Sequence, residues 1–264
     1  DGYETVFSFF DEKAPAHART LWIGDADVLP VEGWRYDDEL TFALTQARTP
    51  TLLDYSPGNA DETTMQVRSL FEDTLSGASS RLGQRLALYG VRYVVVVEAN
   101  APAPFSSIER PVDPAIMNRL TEQLDLVRVE VRPGATIYEN RAYVPTVSTI
   151  APGGLASIAS GTAPSDFALG LPEVTSLRSY RGAVQPGEIY VATPVTTNWT
   201  LRIDGQTQDR FRVFDWAQVF VAERSGTATL THSNDQTMWF GAITQVVTWL
   251  VLITLLVLGR RRRI

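Results

Sequence analysis

Cysteine is missing from all 264 residues. That removes disulfide frames, thiolate metal sites and cysteine nucleophiles together. Lysine is almost missing too: Lys13 is the single lysine among 23 basic residues, a bias expected of G+C-rich bacterial coding rather than of chemistry. Histidine appears twice, at His17 and His232, without the H-x-x-x-H spacing of a zinc helix. No G-x-S-x-G elbow marks a serine hydrolase. Glycines Gly153, Gly154 and Gly161 do not open a helix after a strand, so no phosphate loop is indicated. Positive charge is scarce outside the last few residues. The net charge is −7 and Arg260, Arg261, Arg262 and Arg263 contribute +4, which leaves −11 on the rest. A body that acidic is a poor partner for nucleic acid and for anionic headgroups.

What is present begins with an uncharged stretch near the C-terminus, Trp239 to Gly259. As an α-helix it covers about 30 Å, the thickness of one hydrocarbon core. Trp239, Phe240 and Trp249 are the aromatic membrane anchors of this reading, and the four arginines after Gly259 mark the cytoplasmic side. Everything before Trp239 is then extracytoplasmic, with residues 260–264 as a basic cytoplasmic tail. The start of the chain has no charged and apolar leader pattern. The expectation is the C-terminal piece of a longer, multi-spanning protein, or the product of signal-peptide cleavage.

The hydrophobic patterning predicts two folded units. Residues 1–150 read as an α/β layer domain. TLWIG from Thr20 is a short buried strand, and 61–75 is a helix with Met65, Leu70, Phe71 and Leu75 on one face. Residues 81–89 form a second helix that Gly90 stops. VRYVVVVE from Val91 is a continuous β-branched run, the pattern of a strand covered on both faces. Asp113 caps a helix that begins at Pro114, and two strands follow near 126–131 and 135–139. Residues 151–173, rich in Gly, Ala, Ser and Pro, read as a linker. Residues 174–236 then carry short strands at about ten-residue spacing, an antiparallel β-sandwich. Asp204-Gly205 and Asp215-Trp216 mark two of its hairpin turns. The expected fold is thus an α/β layer domain, an antiparallel β-sandwich domain and a single C-terminal transmembrane helix.

Candidate chemistry is sparse. Asp25 and Asp27 form an Asp-x-Asp directly after the first strand. That pattern holds a divalent cation on a nucleotide-sugar's phosphates in some sites, and elsewhere is a solvated turn whose carboxylates cap backbone amides. Trp199 and Trp216 are candidates for a carbohydrate platform, against the alternative that both are core. Asn198-Trp199-Thr200 matches a glycosylation acceptor, which carries little meaning in a bacterial chain. No catalytic residue and no cofactor is assigned.

The order of TLWIGDADVLP, LYGVRYVVV, LDLVRVEV, ATIYEN and YVP, followed by NWTLRIDGQ and VFVAERSGTATLTHSNDQTMWFGAITQ, carries a family likeness. It resembles the C-terminal extracytoplasmic region and last spanning helix of large bacterial membrane proteins related to glycosyltransferases. These include the YfhO-like proteins and the actinobacterial family 2 glycosyltransferases with a membrane region. The resemblance implies that the catalytic machinery lies outside this chain, and Asp25 and Asp27 gain no role from it. The function expected is a non-catalytic, membrane-anchoring part of a glycosyltransferase in cell-envelope polysaccharide or glycolipid assembly. Its partners would be the lipid bilayer and a glycan or polyprenyl-linked sugar acceptor. The alternative is a single-span envelope protein whose sandwich binds glycan or a protein.

Overall fold

A computed structural model describes residues 2–13, 18–51, 54–55, 62–99, 108–132, 134–151, 153–159, 168–170, 173–176, 179–194, 198–232, 245 and 248–249. The first unit is built on a six-stranded mixed sheet. Its strands are β1 (Arg19–Gly24), β2 (Trp34–Arg35), β3 (Thr41–Thr45), β4 (Val91–Val97), β5 (Leu126–Arg132) and β6 (Ala135–Asn140), in the order β2-β3-β1-β4-β6-β5. Only β1 and β4 run parallel; the other neighbours are antiparallel.

Strand β4 is internal, and its valine run has a direct cause. Val91, Val94 and Val96 pack on one face with helices α2 (Glu62–Leu75), α3 (Leu82–Ala87) and α4 (Pro114–Thr121). Tyr93, Val95 and Val97 pack on the other face, against α1 (Gly2–Lys13) through Val6, Phe9 and Phe10. A strand covered on both sides has no polar face, so the sequence shows no alternation. Residues 37–47 contribute β3, because Phe42 joins the helix-covered face and Ala43 the other.

Helix α2 turns most of the expected face inward, since Phe71 is buried and Leu70 and Leu75 pack against the core, but Met65 does not follow. Met65 is 56% exposed, whereas Val67, Phe71 and the hydroxyl residues Thr64 and Thr74 are buried. Among the described residues, Thr63, Thr64 and Thr74 are three of the five that α2 buries, so a search for apolar side chains alone misses part of its inward face. At α4 the sequence reading holds: the Asp113 carboxylate accepts from the Ala115 N–H at 2.8 Å and Pro114 opens the helix. Helix α3 is capped from a distance. Its Leu82 N–H donates to Gln123, and Gly83 and Gln84 donate to the buried Asp125 carboxylate at 3.0 and 2.6 Å.

The second unit comprises two five-stranded antiparallel sheets. One, in the order β13-β12-β16-β10-β9, contains β9 (Glu173–Ser176), β10 (Ser179–Val184), β12 (Trp199–Ile203), β13 (Gln206–Thr207) and β16 (Gly226–His232). The other, in the order β14-β15-β11-β7-β8, contains β7 (Val147–Ile150), β8 (Ala168–Gly170), β11 (Gly187–Val191), β14 (Arg210–Val213) and β15 (Ala217–Ala222). Their inner faces share a core of Val147, Ile189, Val191, Leu201, Ile203, Phe220 and Leu230. Strand β7 pairs with β11, so the second unit starts inside the segment assigned by sequence to the first. The stretch read as a linker carries α5 (Gly154–Ala159), so Gly154 does open a short helix after strand β7, contrary to the sequence reading of these glycines, and it carries β8, which completes this sheet on β7.

The turn predicted at Asp204-Gly205 is present, and the one predicted at Asp215-Trp216 sits one residue earlier, at Phe214-Asp215. Asp204 and Gly205 have φ of 48° and 83°, and Phe214 and Asp215 have 51° and 63°. Two successive positive φ values define the turn whose twist matches the flanking strands. Among the described residues no helix is long and apolar enough to cross a membrane. The proposed span, including Trp239, Phe240 and the four arginines, lies outside them except for Gln245, Thr248 and Trp249. Those three are helical, and Trp249 is 60% exposed.

Val95 is fully buried at the middle of the two-sided strand. Val95→Asp is expected to destabilise the protein by at least about 3 kcal/mol, the cost of placing an unmatched carboxyl in an apolar core. Denaturant unfolding measures this, and an unchanged midpoint would place the strand elsewhere.

Candidate functional site

Parallel strands β1 and β4 end side by side at Gly24 and Val97. A side chain at residue 24 would collide with the Val97 carbonyl oxygen, 2.5 Å from an ideal Cβ. Glycine is therefore what allows the two strand ends to close together. Beyond them opens a cleft of about 420 Å³, within the range of small-molecule sites. Its polar lining comes from Asp25, Asp37, Glu39, Arg110 and Asp113, and its apolar lining from Leu40, Val112 and Ile116.

The aspartates are held by backbone amides. Asp25 accepts from the Asp27 N–H at 2.8 Å. Asp37 accepts from Glu39 and Leu40 at 2.9 and 2.7 Å, and Asp113 caps α4. This is the turn geometry that short acidic side chains adopt without any ligand. Asp27 turns outward to Arg110 at 3.0 Å, with both side chains about half exposed. An ion pair this open to water contributes at most about 1 kcal/mol. Arg110 is itself placed by its backbone N–H, which donates to the Glu98 carbonyl at 2.8 Å, while the Glu98 carboxylate accepts from Val112. Among the described residues no group of three or more His, Cys, Asp or Glu is arranged to hold a metal ion.

Of the sequence candidates, Asp25 lines the cleft and Asp27 borders it through Arg110. Asp37, Glu39 and Arg110 were not singled out. Nothing local marks Arg110, because 83 residues separate it from Asp27 and only the pairing of β1 with β4 joins them.

The two tryptophans lie elsewhere. Trp199 is 8% exposed in the sandwich core, its ring 5.8 Å from Tyr180 and 5.2 Å from His232. Trp216 is 1% exposed and stacks on Tyr89 of the first unit at 4.6 Å and 7°. A sugar platform needs a ring face open to solvent, and neither residue offers one. The signal that separates Trp216 from a platform is its partner, which no local pattern reveals. His17 lies outside the described residues.

A second polar cluster lies at the junction of the two units. The Arg92 guanidinium sits over the Tyr93 and Tyr143 rings at 5.6 and 5.4 Å. Arg92 and Arg141 share the Glu139 carboxylate at 3.2 and 3.3 Å. Burial pushes the Tyr143 hydroxyl up to about 12, with Arg92 opposing and the neighbouring Tyr180 adding to the rise.

No protein-family model, curated protein or solved structure matches the chain.

The buried stack gives a direct test. Trp216→Ala is expected to cost about 3–5 kcal/mol, the usual loss for a large aromatic removed from a core. Denaturant titration followed by the remaining tryptophans measures it. A loss below about 1 kcal/mol, which is the surface value, would show that Trp216 does not join the units.

Proposed function

We propose that the chain is the extracytoplasmic and membrane-anchoring part of a bacterial membrane glycosyltransferase of cell-envelope assembly, contributing binding rather than chemistry. The observation that carries this reading is the uncharged stretch Trp239–Gly259 closed by four arginines, combined with the order of motifs shared with that family. The stretch is long enough for a bilayer, and the arginines fix its cytoplasmic end.

The cleft supports an accessory role. Sugar rings present hydroxyls on their edge and C–H groups on their faces. Carboxylates of Asp25, Asp37 and Glu39 with Arg110 suit the hydroxyls, and Leu40 and Ile116 suit the C–H face. Such a site holds a glycan acceptor near a reaction centre located outside this chain, where orientation lowers the barrier. Catalysis within the cleft would need a nucleophile or base, an orienting partner and a charge stabiliser together. The aspartates there are instead occupied with turns and a helix cap.

Two measurements test the proposal. A reporter fused after Ile264 should be active in the cytoplasm, and activity only outside the cytoplasm would overturn the orientation. Residues 1–238, supplied with magnesium or manganese and a panel of sugar donors, should show no turnover. Metal-dependent transfer that disappears in an Asp25→Ala/Asp27→Ala variant would make the aspartate pair catalytic.

A further inference from the structure

The route from the sandwich to the proposed span is short, and the strand register fixes where it starts. Strand β16 ends at His232, opposite Trp199 on β12. Six residues separate His232 from Trp239, and the seven steps between them reach at most about 25 Å when fully extended. On the span reading, this end of the sandwich lies within about that distance of the bilayer surface.

The same end carries the junction with the first unit. Strand β10 runs away from it, from Ser179 beside Thr231 to Val184 beside Gly226, and β11 returns to Val191. There Val191 pairs with Val147, and the Ala192 N–H donates to Thr146. Tyr190 donates to the Leu88 carbonyl at 2.6 Å. Arg92 lies three residues after Tyr89, and Arg141 and Tyr143 lie on the connector between the units. The membrane exit and the arginine–tyrosine cluster therefore share one side of the molecule. The carboxylate-lined cleft lies beyond the opposite, carboxyl ends of β1 and β4.

We propose that the junction surface presenting Arg141, with Arg92 beneath it, rests on the lipid headgroups, with the exposed Arg141 guanidinium on a headgroup phosphate. This rests on the span reading above. Two guanidinium groups share the single Glu139 carboxylate, so the cluster carries excess positive charge, and the Arg141 side chain is 60% exposed. Guanidinium is the side chain best shaped for phosphate. The body before the tail carries −11. Turning its acidic cleft outward and its arginines inward is the orientation that least opposes an anionic surface.

The absence of native cysteine makes the test direct. Single variants Arg141→Cys, Thr231→Cys, Asp27→Cys and Glu223→Cys of the full chain are spin-labelled and reconstituted into phosphatidylcholine–phosphatidylglycerol vesicles containing a nickel-chelating lipid. Co-flotation after an alkaline wash reports the span. The label at 141 should be broadened several-fold more than those at 27 and 223, with the label at 231 close to it. Flotation with equal broadening at 141, 27 and 223 would overturn the headgroup contact and leave the span intact. A label at 141 that is immobilised yet shielded from nickel would mean that a second copy of the chain covers it, which also overturns the lipid contact. Failure to float would remove the span and the proposal together.

Discussion

The turn Leu88–Tyr89–Gly90 is the point at which the parts of this molecule are fastened. Gly90 has φ of 70°, and a side chain there would meet the Thr146 hydroxyl at 2.7 Å. Only a residue without Cβ satisfies both demands at low cost. With the chain bent in this way, the Gly90 carbonyl accepts from Arg19 at the start of β1, and the Tyr89 carbonyl accepts from the Arg19 guanidinium. The Leu88 carbonyl accepts from Tyr190, and the Tyr89 ring takes the face of Trp216. Three consecutive residues thus hold the mixed sheet, the connector and the sandwich.

This fastening explains why the two units share apolar packing rather than merely touching. Tyr190, Ala192, Trp216, Ala217 and Val219 of the sandwich pack in the same core as Leu82, Leu86 and Val91. A shared core of that kind resists relative motion far more than a polar domain contact does. It also fixes which surfaces face the same way. The cleft and the arginine–tyrosine cluster are held at opposite ends of β4 and cannot be brought together by a hinge between the units.

Much of the fold was legible because it rests on local causes. The valine run of β4, Gly90 as a helix stop, Pro114 after Asp113, and the two hairpin turns each follow from a few neighbouring residues. What was not legible depends on partners far away in the chain. Met65 faces water because threonines occupy the inner face of α2. The segment read as a linker contains β8 because β7 offers it a free edge. The cleft follows the same division. Asp25 stood out through its spacing from Asp27, whereas Arg110 and Asp37 reach it only through sheet pairing. Trp199 and Trp216 look alike in sequence, and only their packing partners assign them to cores.

The capping of α3 has a consequence for synthesis. Six residues are too few for a helix to hold itself in water. Its first amide donors find acceptors only on Gln123 and Asp125, 41 to 42 residues later. Asn140, further on still, donates to the carbonyls of Gly83 and Val91 on either side of the fastening turn. A ribosome emits the chain in order, so α3 and the turn after it cannot settle until the second half of the mixed sheet has emerged. The apolar run of β4 therefore waits for partners that emerge later in synthesis, and long-range pairings of this kind make the first unit form late rather than strand by strand.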